Sequence, residues 1–310
     1  ILTGITPSYE MPNRKFITGS EWLYVKLYAG SRSAESILKE ILLPLISNLL
    51  AEKIIDKWFF IRYADPEHHL RIRFHHADNK GFWKEVLERL YAALEQAAGK
   101  QMAYRIQTDT YEREIERYGT DTMLFSEDVF YYDSESVMQV INLLEDEEGE
   151  NYRWLLALRG IDMLLHDFGY SPPAKTALLK LLQQNFFEEF GGGKPLLLQL
   201  NNKYRHEMRK VGSILDPFQD EVNGIEEAVA FFATRSHKIR KRLTGINIGN
   251  RDDLLCSYIH MFLNRMLLSN QRKQELVIYH FLARHYESAA AIAKEQEKAA
   301  VTNHHQLIIQ

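Results

Sequence analysis

The segment WFFIRYADPEHHLRIRFH, residues 58–75, decides the fold of the first third of the chain. Two runs rich in aromatic and β-branched residues, 58–63 and 69–75, flank an Asp-Pro pair that favours a turn. This order predicts a β-hairpin. In the second run, period-two alternation puts the apolar residues on one face of the strand. Arg71 and Arg73 then share the opposite face, between two histidines.

Further elements are predicted on both sides of this hairpin. The run WLYVKLY, residues 22–28, has the composition of a strand. Apolar residues at helical spacing over residues 34–53 predict a core helix with a kink at Pro44. A helix over residues 81–98 and a strand over residues 102–111 are expected to follow.

From residue 126 onward the pattern is that of nearly continuous helix. Helices are predicted at Glu135 to Leu144, Tyr152 to His166, Pro173 to Gln183, Ile225 to Leu243, Asp252 to Leu268 and Gln274 to Lys298. The glycines at 191–193 are interpreted as a short loop between helices and not as a domain linker. The sequence therefore predicts an α+β fold, with an N-terminal mixed sheet and helices followed by a mostly helical second half packed on the sheet.

Length and composition leave the domain count open and exclude several function classes. The chain has 310 residues, twice the ~150 of an average domain. A net charge of −4 offers no overall attraction for nucleic acid, and no apolar run approaches the ~20 residues of a membrane span. The single cysteine and the absence of a secretory leader favour a soluble, cytoplasmic protein. No metal or nucleotide-cofactor motif is present.

Arg71 and Arg73 are the first candidate site. Two guanidinium groups on one strand face repel each other unless an anion or an acidic partner lies between them, and Arg binds carboxylate or phosphate through paired hydrogen bonds. A solvated strand face, or salt bridges with the chain's own acidic residues, would explain the same pattern.

The segment YEREIERYG, residues 111–119, is the second candidate. Glu114 and Arg117 are three residues apart, so a turn of helix would place them side by side, whereas a continued strand would separate them. A structural ion-pair cluster is the alternative to a functional role.

His260 is the third candidate. It lies on a predicted helix where Cys256, His260 and Asn264 recur every four residues as a narrow polar stripe. Histidine exchanges protons near neutral pH, but a histidine on an apolar helix is often only a satisfied core residue. A Cys256 nucleophile is disfavoured, because a catalytic thiol and its base usually come from separate elements.

These segments, in this order, resemble the small domain of lantibiotic dehydratases, which also occurs as a stand-alone thiopeptide-type bacteriocin biosynthesis protein. The resemblance runs from about residue 20 to about residue 290 and is most specific in FIRYADPEHHLRIRF and ERYG. It implies one domain over residues 1–310. It also implies a lyase that eliminates glutamate from glutamylated Ser or Thr of a ribosomally made precursor peptide, leaving dehydroalanine or dehydrobutyrine.

The resemblance assigns the functional residues to Arg71, Arg73, Glu114, Arg117 and His260. Pyridine synthases of the same family, which join two dehydroalanines by a formal [4+2] cyclisation, lack much of this set, so its retention favours elimination. Thr120 departs from the family, in which a second glycine often follows ERYG. A local adjustment of the backbone is expected there.

The chemistry of β-elimination suggests a role for each residue. Arg73 and Arg117 are expected to bind the glutamyl carboxylates, with Arg71 supporting that site or the enolate. Glu114 would position an arginine or the glutamyl ammonium, and His260 would transfer the proton, although Glu114 is an equal candidate for the base.

The resemblance also implies partners. The glutamylated precursor peptide is the expected substrate, and a separate glutamylation protein that depends on glutamyl-tRNA is expected to supply it. No cofactor, metal, direct nucleic-acid contact or membrane span is expected, and a homodimer is left open. A pyridine synthase and a noncatalytic peptide-binding subunit of a dehydratase complex are the alternative functions.

Overall fold

The computed structural model describes residues 12–96, 103–144, 146–215 and 225–308. The chain groups into two compact units. The sheet unit comprises Ile1–Ser134 and Gly245–Gly249, and the helical unit comprises Glu135–Thr244 and Asn250–Gln310. Antiparallel sheets in the first and helices in the second confirm the predicted α+β class.

The sheet unit is built on a four-stranded antiparallel sheet with the order β3-β4-β2-β5. A separate two-stranded sheet pairs β1 with β6. The strands are β1 Lys15–Phe16, β2 Trp22–Tyr28, β3 Lys57–Tyr63, β4 His69–His75, β5 Arg105–Asp109 and β6 Tyr111–Glu112. The predicted hairpin is confirmed, because Lys57 pairs with His75 at its open end and Tyr63 with His69 at its closed end. The single strand expected from residue 102 is two short strands, and residue 102 itself lies outside the described residues.

One face of the main sheet is apolar, as the alternation in β4 predicts. Leu70, Ile72 and Phe74 are fully buried. The helical segment after β2 covers this face, because Arg62 of β3 forms a 2.5 Å ion pair with Glu35 of that segment. The opposite face is therefore the one on which Arg71 and Arg73 lie.

The helices of the sheet unit follow the sequence closely, with one irregularity. The segment predicted as a kinked helix is α1 Ser31–Ser36, a π-helical stretch Ile37–Leu42 and α2 Leu43–Ala51. Pro44 lies in the first turn of α2, where its missing N–H and its ring are tolerated, and the wider π turns precede it. The other helices that begin in this unit are α3 Phe82–Gln96, α4 Ile115–Tyr118 and α5 Met123–Leu143. Residues 97 and 98, predicted as the end of α3, lie outside the described residues.

The helical unit begins within α5, at Glu135, and contains six further helices in its described residues. They are α6 Asp146–Asp167, α7 Pro172–Glu189, α8 Lys194–Leu215, α9 Glu226–Leu243, α10 Arg251–Met266 and α11 Gln271–Ile308. Helix α8 is absent from the predicted set. Pro195 occupies one of its first positions, where proline starts a helix instead of breaking it, so the glycine loop before it does join two helices. Over the described parts of the chain, none of the helices combines the length and apolarity of a membrane span.

Candidate functional site

The polar face of the main sheet carries a cluster of cationic and aromatic side chains. Cross-strand register places Arg73 of β4 between Tyr24 of β2 and Phe59 of β3. One pleat along the strand, Arg71 lies opposite Lys26. Cross-strand neighbours of this kind are in direct contact, so the face is a continuous surface of rings and charges.

Arg73 is enclosed by aromatic rings. Its guanidinium carbon lies 4.4 Å from the ring centroid of Tyr24, 5.1 Å from that of Phe59 and 4.9 Å from that of Tyr111. We call this arrangement the Arg73 cage. Cation–π contacts stabilise a guanidinium when it is desolvated, and Arg73 is only 9% exposed. The ring set comes from three separate strands.

The cage does not neutralise the charge of Arg73. Among the residues that the structure describes, no carboxylate lies within salt-bridge distance of it, and its buried Nε has no hydrogen-bond acceptor. Burial lowers the pKa of Arg73, while the nearby Tyr111, Tyr24 and Glu114 oppose that effect. An arginine keeps its proton even when buried. The site therefore holds a desolvated cation to which the described part of the chain offers no counter-ion.

Arg71 is held differently, at the surface. Its guanidinium stacks on the exposed ring of Tyr63, 3.4 Å from the centroid, and its Nε donates to His69 Nε2 at 3.1 Å. His69 Nδ1 lies 2.8 Å from the carbonyl oxygen of Glu67. Burial lowers the pKa of His69 and keeps it neutral, with Nδ1 as the donor and Nε2 as the acceptor. These contacts fix the direction of Arg71 without compensating its charge.

The other histidine of the predicted face has a structural role. His75 Nδ1 lies 2.5 Å from Asp56 Oδ1, and the second oxygen of Asp56 accepts from the backbone N–H of Ala77. Burial raises the pKa of Asp56, but these two hydrogen bonds, together with electrostatic attraction from His75 and Lys57, more than offset that and leave it lowered. His75 therefore stabilises the ends of β3 and β4.

Glu114 and Arg117 lie side by side, as one turn of helix predicts. Glu114 is the N-cap residue of α4, and its Oε2 lies 3.6 Å from Arg117 Nη1. Both side chains are exposed, Glu114 by 64%. Gly119 ends the helix with φ of 75°, and a side chain there would meet Thr122 Oγ1 at 2.8 Å. Thr120 lies outside the left-handed region, so the departure from the family pattern creates no backbone strain.

A buried ion pair that the sequence did not reveal holds this segment in place. Arg113 donates from Nε and Nη2 to the two oxygens of Glu127 on α5, at 2.7 and 2.8 Å. Tyr111 donates to the same carboxylate at 2.9 Å while its ring forms part of the Arg73 cage. Bidentate pairs of this kind are strong and geometrically specific. Glu127 thereby fixes one wall of the cage.

His260 lies in the helical unit, on α10. Its Nδ1 is 3.0 Å from Oε2 of Glu275 on α11, and the ring is 29% exposed. Glu275 is fully buried, and its Oε2 also accepts from Tyr279 at 3.1 Å. His260 is therefore neither an isolated core histidine nor a free surface one.

The neighbours of His260 in the polar stripe have other contacts. Asn264 donates to Gln271 at 3.1 Å. Burial, with Asp252 and Asp253, raises the pKa of the Cys256 thiol to about 11, which is the opposite of what a thiol nucleophile requires.

The structure thus brings four of the five predicted residues into the sheet unit and places His260 in the helical unit. The aromatic residues of the cage and the carboxylates of Glu127 and Glu275 were missed by the sequence. Two signals in the sequence pointed to the cage. Tyr111 begins the YEREIERYG segment, and Tyr24 and Phe59 lie within predicted strands. No local pattern marks Glu275, since its partner lies on a different helix.

The chain matches a known protein family over most of its length. A family model described as lantibiotic biosynthesis dehydratase C-term matches residues 22–286. The chain belongs to this family. The match spans both units and all five candidate residues.

Two lantibiotic biosynthesis proteins are similar to the chain over most of its length. The chain is 25% identical over 285 residues to the nisin biosynthesis protein NisB of Lactococcus lactis subsp. lactis, covering 89% of this chain and 26% of that protein. It is 23% identical to the epidermin biosynthesis protein EpiB of Staphylococcus epidermidis, covering 86% of this chain and 26% of the relative. The chain therefore spans about a quarter of the length of these relatives.

Solved structures share the fold. The tRNA-dependent lantibiotic dehydratase MibB from Microbispora sp. 107891 superposes with a TM-score of 0.66 at 20% identity, over 90% of this chain and 29% of that one. The pyridine synthase TbtD from thiomuracin biosynthesis superposes with a TM-score of 0.61 at 14% identity, over 88% of this chain and all of that one. The fold is thus found both within a large dehydratase and as a separate chain.

Proposed function

We propose that this protein eliminates glutamate from glutamylated Ser or Thr residues of a ribosomally made precursor peptide. The observation that carries the proposal is the Arg73 cage, a buried cation for which the described residues supply no counter-ion. A glutamyl ester supplies what is missing, because it carries one free carboxylate before the reaction and releases a second. Membership of the lantibiotic dehydratase family supports the same reading.

The reaction requires three events at the substrate. A base removes the α-proton of the modified residue, the electrons of the Cα–H bond form the Cα=Cβ double bond, and the Cβ–O bond breaks. The leaving glutamate keeps the electrons of the Cβ–O bond as a carboxylate. Charge develops on the peptide carbonyl and on the leaving oxygen, and fixed cations aimed at developing charge are effective catalysts.

The cationic residues suit the leaving group. In this proposal Arg73 binds one glutamyl carboxylate and Arg117 binds the other. Arg71, fixed by Tyr63 and His69, supports this site or the enolate. Because these groups are positioned before the substrate arrives, little reorganisation is needed when the carboxylate forms.

The proton-transfer groups complete the proposed set. His260 is the base that removes the α-proton, and neutral imidazole suits this task near pH 7. Glu114 orients Arg117, which it contacts at 3.6 Å, or binds the glutamyl ammonium. Because Glu114 is exposed and ionisable, it is the alternative base.

The proposed reaction implies partners. We propose that a separate protein forms the glutamyl ester from glutamyl-tRNA and that this chain contacts the peptide and not the RNA. We propose the cytoplasm as the location of both proteins, because charged tRNA is available there.

A glutamylated peptide is the direct test. The purified chain is expected to convert it into a dehydrated peptide and free glutamate, both followed by mass spectrometry. Persistence of the ester would reject elimination. The fold shared with TbtD makes a pyridine synthase the second candidate, and cyclisation of a peptide that already contains dehydroalanines, without glutamate release, would identify it. Tight binding with no conversion in either assay would identify a noncatalytic subunit.

A further inference from the structure

A buried carboxylate lies directly behind the candidate base. Glu275 is fully buried on α11, yet its Oε2 is 3.0 Å from His260 Nδ1 on α10. The imidazole is partly exposed, by 29%. A buried group thus binds one ring nitrogen, Nδ1, and the other, Nε2, remains for proton transfer.

Tyr279 fixes the carboxylate in turn. It lies one helical turn after Glu275, and its hydroxyl donates to the same Oε2 at 3.1 Å. Burial and the neighbouring Glu275 raise the pKa of Tyr279 well above its usual value, so it stays a hydrogen-bond donor throughout the neutral range. Glu275 Oε1 has no hydrogen-bond partner among the described residues. The carboxylate therefore has both of its hydrogen-bond partners, His260 and Tyr279, on one oxygen.

A buried carboxylate favours a positive charge beside it. Desolvation makes a buried anion unfavourable until a cation is paired with it. Protonation of His260 at Nε2 would create that cation at hydrogen-bond distance. Among the described residues, Arg272 on α11 also interacts electrostatically with Glu275, and Cys256 on α10 does so with Tyr279. Arg272 is itself paired with Glu189, and Cys256 stays a neutral thiol.

We propose that Glu275 is a positioning residue for His260, with Tyr279 holding it in place. Glu275 accepts a hydrogen bond from Nδ1–H, which leaves the lone pair on Nε2 to take the α-proton of the substrate. When Nε2 gains that proton, the imidazolium is compensated by Glu275, which stays ionised and takes no proton itself. This inference rests on the proposed function, since it presumes that His260 is the base.

Three variants separate this role from a merely structural one. Glu275→Gln keeps the shape of the side chain and removes its charge. Tyr279→Phe keeps the carboxylate and removes one of its donors. Glu287→Gln is the matched control, because Glu287 lies three turns further along α11 and pairs with Lys180 and Arg284 at the surface. Thermal unfolding of each variant verifies that it folds.

The first readout does not depend on activity. Nitrogen-15 NMR of labelled histidine, with the His260 signals identified by their absence in His260→Gln, reports which ring nitrogen carries the proton. In the unmodified chain, neutral His260 is expected to carry it on Nδ1. Glu275→Gln is expected to reduce the Nδ1–H population, since an amide can donate to Nδ1 as well as accept from it. Glu287→Gln leaves it unchanged.

The second readout is single-turnover elimination of a glutamylated peptide as a function of pH. Glu275→Gln is expected to slow the reaction about 100-fold and to move the acidic limb of the profile to lower pH. Tyr279→Phe is expected to slow it about threefold, as for one hydrogen bond. An unchanged tautomer, or an unchanged rate and profile, in a folded Glu275→Gln variant overturns the positioning role while elimination stands. Absence of turnover in the unmodified chain overturns the proposed function instead, and the NMR result then decides the His260–Glu275 contact alone.

Discussion

Two buried arginines of the sheet unit, Arg113 and Arg73, have opposite surroundings although Tyr111 interacts electrostatically with both. Arg113 has its own carboxylate, Glu127, which it binds with two hydrogen bonds. Arg73 has three aromatic rings around it and, within the described residues, no carboxylate in reach. The first is compensated inside the protein and the second is not. We therefore expect a functional charge to be one that is buried without compensation, and not merely one that is buried.

The largest expected effect is on stability, at the compensated pair. Arg113→Met leaves Glu127 buried without its cation, and breaking such a pair costs about 3–5 kcal/mol. Urea unfolding at pH 7 measures the loss in the free energy of unfolding. A loss below about 1 kcal/mol would contradict the view that Arg113 and Glu127 are a structural pair.

The opposite result is expected for Arg73→Met. Removal of an uncompensated buried charge should leave the free energy of unfolding unchanged or raised, while elimination slows about 100- to 1,000-fold because a fixed cation for the leaving carboxylate is lost. The glutamylated peptide should accumulate. Equal loss of stability in Arg73→Met and Arg113→Met would erase the distinction between the two arginines.

His280 in the helical unit shows what happens when an uncompensated buried group is able to lose its charge. The residue is 1% exposed, and its Nδ1 lies 3.1 Å from Nε2 of Gln183. Burial, with Arg284, lowers its pKa to about 4. Because the unfolded chain binds this proton near pH 6.5 and the folded chain does not, stability is full above pH 6.5 and falls as the pH drops towards 4. Between pH 7.5 and 5 the loss is about 2 kcal/mol.

The variant His280→Gln should lack this loss of stability between pH 7.5 and pH 5. Its unfolding free energy at pH 7.5 and at pH 5, measured beside that of the unmodified chain, gives the difference directly. An identical pH dependence in both proteins would show that His280 is not the group responsible.

A smaller effect is expected at the exposed end of the site. Arg117→Gln removes a cation that is 40% exposed and already lies near Glu114. Solvent therefore already screens part of its electrostatic attraction for the substrate. A slowing of about tenfold is expected, with the loss mainly in the affinity for glutamylated peptide. A loss as large as that of Arg73→Met would show that desolvation is not what distinguishes the two residues.

The smallest effect is expected at Cys256. With its thiol pKa near 11, the reactive thiolate is scarce at neutral pH. Cys256→Ala should eliminate glutamate at the rate of the unmodified chain, and iodoacetamide should label the folded chain far more slowly at pH 7.5 than a free thiol. Rapid labelling with loss of activity would return Cys256 to the candidate set.

Local sequence patterns predicted most strands and helices correctly, because side chains repeat with a fixed period in each kind of element. Alternation in residues 69–75 correctly separated the apolar face of β4 from the face of Arg71 and Arg73, since neighbouring side chains in a strand must point to opposite sides. The three-residue spacing of Glu114 and Arg117 left helix and strand open, and the structure has the helix. Helix α8 was missed because Pro195, which follows three glycines, was not recognised as part of a helix start.

The contacts around the candidate residues could not be predicted from these local patterns. The Arg73 cage draws Tyr24, Phe59 and Tyr111 from three strands, and the register of those strands is a property of the sheet. Glu275 contacts His260 across two helices. Charge pairing is likewise non-local. The sequence showed Arg71 and Arg73 on one strand face, but not that Arg113 would pair with the buried carboxylate of Glu127 while Arg73 would have no carboxylate within reach among the described residues.

The most direct test of the account is the stoichiometry of glutamate release. A glutamylated peptide is mixed with excess unmodified chain, the reaction is stopped at intervals, and free glutamate and dehydrated residues are counted in the same samples. The account predicts one glutamate for each dehydroamino acid formed, with both products suppressed in parallel in Arg73→Met. An ester that persists with the unmodified chain, or one that is converted equally fast by Arg73→Met, would contradict it.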